Sequence, residues 1–244
     1  MMPKRMESKG KCSFCSELFS GSTIIRHLIS CESRKQSFAE ETVGLNFKRG
    51  KVFGLKVQAS YNSAYWLCLE AKSTLLLSSL DQFLRDIWLE CCGHLSAFTI
   101  NEESYQSARE VGFGSYQPER GMNTPLAKIF SPELEFHYEY DFGSTTDLDL
   151  KVVWEREGRI GKKGISILAR NEPFAFKCVS CGSLAELSCT ECSYEKEASY
   201  CKQCISKHKC GDDMSLPIVN SPRMGVCGYE GSLAAQELNA GDSL

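Results

Sequence analysis

The sequence lacks several things that would have assigned it quickly. No apolar run approaches the roughly 18–20 residues that span a bilayer, so no membrane-spanning helix is expected. The opening segment, MMPKRMESKGK, is polar and basic with no apolar stretch behind it, so no secretory signal is expected either. The expected compartment is then the reducing cytoplasm, where disulfides are disfavoured. No excess of one charge exists: 28 basic and 31 acidic side chains leave a net charge of −3, which excludes polyanion binding driven by the bulk field. No long repeat, low-complexity tract, phosphate loop or nucleophile with an attendant base is present, so an enzyme is the least favoured class. Ordinary apolar (42%) and charged (24%) fractions exclude wholesale disorder.

Cysteine is plentiful instead. Fourteen residues of a 244-residue chain are Cys, and in a reducing compartment metal is the first explanation to test. Three fall at Cys12, Cys15 and Cys31, and seven between Cys178 and Cys210. Cys68, Cys91 and Cys92 lie mid-chain, where they are expected to be core thiols, and Cys227 stands apart. Charge is uneven in the same way: residues 1–35 carry seven basic and three acidic groups, residues 172–244 six and ten. Both patterns divide the chain into residues 1–35, 48–170 and 176–230.

Near the N-terminus, Cys12-x2-Cys15 is followed after 11 residues by His27-x3-Cys31. Two thiolates two residues apart form a tight knuckle, and His and Cys four apart share one helical face, so the four can close a tetrahedron around zinc. Ser22 or Thr23 is the expected N-cap of a helix running to about Ser30. A segment this short must draw its folding energy from the metal. It resembles a C2HC-type zinc finger. Lys4, Arg5, Lys9, Lys11, Arg26, Arg34 and Lys35 could meet phosphates, although a single finger reads only about three base pairs.

The strongest signal is KCVSCGSLAELSCTECSYEKEASYCKQCISKHKC. Its pairs Cys178/Cys181, Cys189/Cys192, Cys201/Cys204 and His208/Cys210 supply eight ligands, enough for two tetrahedral zincs. Alternate pairing is expected, with Cys178, Cys181, Cys201 and Cys204 on one ion and Cys189, Cys192, His208 and Cys210 on the other. The closing His-x-Cys is tight, which leaves Cys227 as a substitute for the last ligand. The pattern looks like the interleaved two-zinc modules of the RING, B-box and MYND kind. Sites saturated by Cys and His leave no open coordination position, so about three structural zincs are expected. With ten thiolates they would move the formal charge to about −7, which favours a protein partner over nucleic acid.

Between the modules, Val52–Ser60 and Ala64–Glu70 read as strands joined at Tyr61-Asn62-Ser63. Residues 74–92 read as one amphipathic helix with Leu76, Leu80, Phe83, Leu84, Ile87 and Trp88 as its apolar stripe. Leu95–Ile100, Leu134–Phe142, Leu148–Trp154 and Ile165–Ala169 read as further strands, and a short helix starts at Thr124-Pro125. The expected class is α+β: a mostly antiparallel sheet with one main amphipathic helix, flanked by small zinc-stabilised modules.

Glu139-Tyr140-Asp141-Phe142-Gly143, with Gly93-His94-Leu95-Ser96-Ala97-Phe98 after the helix, resembles the signature of plasmid pRiA4b ORF-3-like (MM3350-like) proteins. The tail Asn220-Ser221-Pro222-Arg223-Met224-Gly225-Val226-Cys227-Gly228-Tyr229 looks like members that carry added zinc modules. The resemblance spans roughly residues 48–170 and implies a domain without an established activity, sometimes tied to plasmids or transposons. The Trp and His that commonly follow Tyr-Asp-Phe-Gly in that family are replaced here by Ser144–Leu148. His94, His137 and Asp141 remain as polar candidates: His94 as a partner of Asp141 or a helix cap, Asp141 as the acceptor of a turn in which Gly143 takes positive φ.

The leading expectation is a non-enzymatic zinc protein that recognises another protein. The alternative is a nucleic-acid accessory protein that uses the finger of residues 1–35 and is associated with mobile elements.

Overall fold

The computed structural model describes residues 8–42, 50–107, 120–161, 163–193, 197–211 and 213–232. Lys4 and Arg5 lie outside them, as does 233–244. The chain forms two compact units: Met1–Gln82 with Leu95–Glu172, and Phe83–His94 with Pro173–Leu244.

The first unit is built on a nine-stranded antiparallel sheet. Its strands are β1 (Lys9–Cys12), β2 (Leu18–Ser20), β3 (Gly50–Ala59), β4 (Trp66–Lys72), β5 (Ser96–Ile100), β6 (Glu103–Gln106), β7 (Glu135–Tyr140), β8 (Thr146–Gly158) and β9 (Ile165–Asn171). Their spatial order is β2-β1-β9-β4-β3-β8-β7-β5-β6. Alternation sets the faces: in β7, Phe136, Tyr138 and Tyr140 are buried, and in β8 Leu148, Leu150 and Val152. Aromatic pairs fill the core, Phe98 with Tyr138 at 4.6 Å between ring centroids and Phe130 with Phe136 at 5.0 Å. The Tyr61–Ser63 turn closes as expected, with the Tyr65 N–H donating to the Asn62 carbonyl at 3.0 Å.

The expected helix over 74–92 is shorter and irregular. It comprises α3 (Leu77–Leu84) followed by a π-helical turn at Arg85–Leu89. Leu80, Leu84, Ile87 and Trp88 are buried as the stripe requires, but Leu76 is exposed and Leu77 takes its place. Leu76 instead forms a β-bridge with Pro125, which delays the helix start. The short helix after Pro125 is a single 3-10 turn, Leu126–Lys128.

At the N-terminal end, α1 (Ile24–Ser30) and α2 (Glu32–Thr42) follow the β1–β2 hairpin. Thr23 precedes α1 without capping it, since its hydroxyl donates back to the Ser20 carbonyl at 3.3 Å. The hairpin joins the sheet through β1 against β9. The approach is close enough to demand glycine: a methyl on Gly10 would stand 2.0 Å from the Arg170 carbonyl oxygen, and one on Gly21 would stand 2.7 Å from the Trp66 indole. Trp66, fully buried, donates its Nε1–H to Ser8 at 2.8 Å. Beyond it, Arg34 donates to the Leu28 carbonyl and to Glu70 Oε1, both at 2.7 Å. Glu70 also accepts from Trp154 at 3.0 Å and from two nitrogens of Arg156.

The second unit has little regular structure. A three-stranded antiparallel sheet, β10 (Leu187–Cys189), β11 (Ser199–Tyr200) and β12 (Ser215–Pro217), runs in the order β11-β10-β12. This unit also holds the π-helical turn Arg85–Leu89 and two single-turn helices, α4 (Thr190–Ser193) and α5 (Lys202–Ile205). Besides the buried Leu84, Ile87, Trp88, Leu89 and Tyr229, one cluster of seven residues gathers Cys178, Ala185, Cys189, Cys192, Ala198, Tyr200 and Ile205. Three of those seven are cysteines, so apolar burial alone supplies little stability there.

Candidate metal centres

Local backbone geometry explains how each ligand is presented. After Cys15, Ser16 takes φ 61° and its N–H returns to the Cys12 carbonyl at 2.9 Å, while the Cys12 N–H reaches Glu17 at 3.0 Å. The same knuckle recurs in the second unit: Gly182 takes φ 76°, its N–H reaches Cys178 at 2.8 Å, and the Cys178 N–H reaches Ser183 at 2.7 Å. One left-handed residue after the second cysteine turns both sulfurs to the same side. Cys201 and Cys204 occupy the start of α5, where the Cys204 N–H bonds the Cys201 carbonyl at 3.1 Å. The tight His208-x-Cys210 is accommodated by a turn in which the Gly211 N–H, at φ 77°, reaches the His208 carbonyl at 2.9 Å.

These elements bring the predicted sets together. Cys12, Cys15, His27 and Cys31 form one cluster, Cys178, Cys181, Cys201 and Cys204 a second, and Cys189, Cys192, His208 and Cys210 a third; within each, all ligand atoms lie within 4.8 Å of one another. The interleaved pairing is the expected one, and His208 belongs to the third set. Aromatic rings back two of the imidazoles: Phe19 stacks on His27 at 3.7 Å, and Tyr200 lies 4.6 Å from His208.

A fourth cluster was not foreseen. Cys91, Cys92, His94 and Cys227 also have all ligand atoms within 4.8 Å. Cys91 and Cys92 are therefore not core thiols, the first being half-buried and the second exposed, whereas Cys68 is fully buried as expected. His94 Nε2 lies 3.1 Å from Cys92 Sγ and 3.3 Å from Cys227 Sγ, so its imidazole belongs to this cluster. Asp141 serves its turn, accepting from the Gly143 N–H at 3.1 Å, but the positive φ (66°) falls on Asp141 itself rather than on Gly143. His137 pairs with Asp149 on the surface at 2.8 Å. The fourth set was hidden because its ligands share no short motif: the pair is vicinal and the last ligand is 133 residues from His94.

The donor chemistry fits a thiophilic divalent ion. Tetrahedral zinc with Zn–S near 2.3 Å spaces its sulfurs about 3.8 Å apart. The observed S···S separations are 3.7 Å for Cys181–Cys201 and 3.8 Å for Cys192–Cys210. The S···N separations are 3.3 Å for Cys15–His27 and 3.4 Å for Cys192–His208. All fourteen cysteines are free thiols. Crowded sulfurs resist joint ionisation: neighbours Cys201, Cys181 and Cys178 push Cys204 up to about 12, and burial pushes Cys12 up to about 11. Cys178 goes the other way, to about 6, because backbone N–H groups of Cys201, Ser180 and Cys181 donate to its sulfur. A cation at the centre of each set reverses the repulsion.

Among solved structures, the chain is similar to the crystal structure of a protein of unknown function, MM3350, from Methanosarcina mazei Go1. The two share 18% identity over 50% of this chain and 71% of that one, with a TM-score of 0.42. A likeness this loose carries no argument about function. No protein-family model and no curated protein matches the chain. Among the described residues, no helix is long and apolar enough to cross a membrane.

Proposed function

We propose that this chain is a zinc-binding, non-enzymatic protein of the cytoplasm, related to the pRiA4b ORF-3-like proteins, whose C-terminal module recognises another protein. The observation that carries the reading is the assembly of the predicted ligands into four-membered Cys/His sets. Four protein ligands saturate a tetrahedral ion and leave no position for substrate or water, which favours structural zinc. Recognition of protein is supported by Val179 and Leu184, 45% and 63% exposed beside the Cys178 knuckle, and by the acidic C-terminal charge balance. The nucleic-acid reading loses one of its cations, because Arg34 is buried against Glu70, while Lys11 and Lys35 face Glu172 and Glu32.

The test is metal analysis of full-length protein purified without chelator, with titration of labelled DNA and RNA across a salt series. Zinc bound in a fixed ratio, with no steeply salt-dependent affinity, is the expected result. Zinc-free folded protein overturns the zinc assignment. Salt-steep binding abolished by Lys9→Glu and Arg26→Glu selects nucleic acid instead.

A further inference from the structure

Cys91, Cys92, His94 and Cys227 differ from the other three sets in how they are built. In each of the others, the ligands lie within one short stretch of chain. Here they come from the two separate stretches that make up the second unit, Phe83–His94 and Pro173–Leu244. Gly93, at φ 70°, folds the chain between Cys92 and His94 so that the imidazole returns to the sulfur. Cys227 sits at φ 49° and Gly228 at φ 69°, inside a turn closed by Tyr229 N–H to the Val226 carbonyl at 2.9 Å. Cys92 Sγ lies 3.4 Å from Cys91 Sγ and 3.6 Å from Cys227 Sγ. Around the set, the fully buried Arg223 donates to Cys91 Sγ at 3.4 Å, and Ser221 donates to the Trp88 carbonyl at 2.6 Å.

We infer that these four residues form a further zinc site, whose role is to fasten the π-helical turn and the strand of chain after it to the 220–229 tail. The donor set, three sulfurs and one imidazole, matches the chemistry of the N-terminal and His208 sets and suits a thiophilic divalent ion. Cysteine usage agrees: with this site, thirteen of the fourteen cysteines are ligands, and the remainder, Cys68, is fully buried. The site closes a loop of well over a hundred residues, so the ion joins two stretches that chain connectivity leaves far apart. Cys92 and Cys227 are exposed, and no ligand of this set is buried. It is therefore the first of the four to surrender its ion to a chelator.

The inference rests on the proposed zinc chemistry, and one experiment separates the two. Zinc per chain is counted by native mass spectrometry in the full-length protein, in Cys227→Ser and in Cys227→His, the last of which restores a ligand. Four ions in the parent, three in Cys227→Ser and four in Cys227→His are expected. Three in all of them overturns this site and leaves the other three standing; none in any overturns both. Hydrogen exchange on the Cys227→Ser protein supplies the second readout. Residues 85–94 and 220–229 are expected to lose protection together, with residues 178–210 unchanged. Unchanged protection in both stretches contradicts the fastening role.

Discussion

The two units reach a folded state by different routes. The first spreads nine strands over a core of interlocked aromatic and aliphatic side chains, and places its single Cys/His set at one edge. Among the described residues, the second has three short strands, two single helical turns and the π-helical turn, yet carries three sets. Burial of apolar area, at roughly 25 cal/mol per Å², can sustain the first. Around residues 178–210 the second has little such area, and ligand–metal bonds would substitute for it. The contrast teaches that cysteine density in this chain marks where the core is too thin.

Removing metal is the sharpest way to break the comparison. Chelation is expected to unfold the second unit and loosen β1 and β2, while β3, β4, β7 and β8 keep their amide protection. Circular dichroism should show partial loss of signal, and a thermal melt should retain one cooperative transition.

Next in size is Glu70→Ala. Glu70 is 2% exposed and accepts from Arg34, Arg156 and Trp154. Removing it leaves Arg34, itself 7% exposed, without its carboxylate, at a cost of about 3–5 kcal/mol to the first unit. The zinc count should not change. Denaturant melts of the chelated protein, in which only the first unit reports, check the first statement, and metal analysis of the unchelated variant checks the second.

The same residue gives a pH signature. Burial alone would raise the Glu70 pKa, but the bonds and charges of Arg156, then Arg34 and Trp154, outweigh it and hold the group below the usual carboxylate range. A depressed pKa contributes stability that is fully present above the unfolded value of 4.5 and is lost as pH falls through the folded value. The stability gap between the parent and Glu70→Gln should therefore be constant above that range and close as pH drops below it. A gap that widens on acidification contradicts this account.

Smaller effects belong to the junction of hairpin and sheet, and to the one cysteine outside the sets. Gly10→Ala forces a methyl against the Arg170 carbonyl and should cost about 1–3 kcal/mol, seen as faster exchange in β1 and β9. Cys68→Ala removes a buried sulfur and should cost only about 1 kcal/mol, with every zinc retained.

Much of this was legible in the sequence, for identifiable reasons. Strand alternation exposed β7 and β8, because period two survives wherever one face is buried. The x2 spacings exposed three ligand sets, because a knuckle needs two sulfurs on one short turn. What escaped was long-range. Nothing local in Cys91-Cys92-Gly93-His94 announces Cys227, and nothing in residues 9–20 announces that the finger hairpin would extend the sheet through β9. The helix stopped short at Leu84 because a π turn, which has no sequence signature here, follows it. Arg34 looked like a phosphate ligand from its charge alone, and only the fold revealed Glu70 beneath it.

The most direct test of the central contrast is hydrogen exchange resolved by segment, with and without a zinc chelator. The account predicts that residues 178–210 exchange fully in chelator while residues 52–57, 136–140 and 148–152 stay protected. Loss of protection in both groups at the same chelator concentration, or in neither, would contradict it.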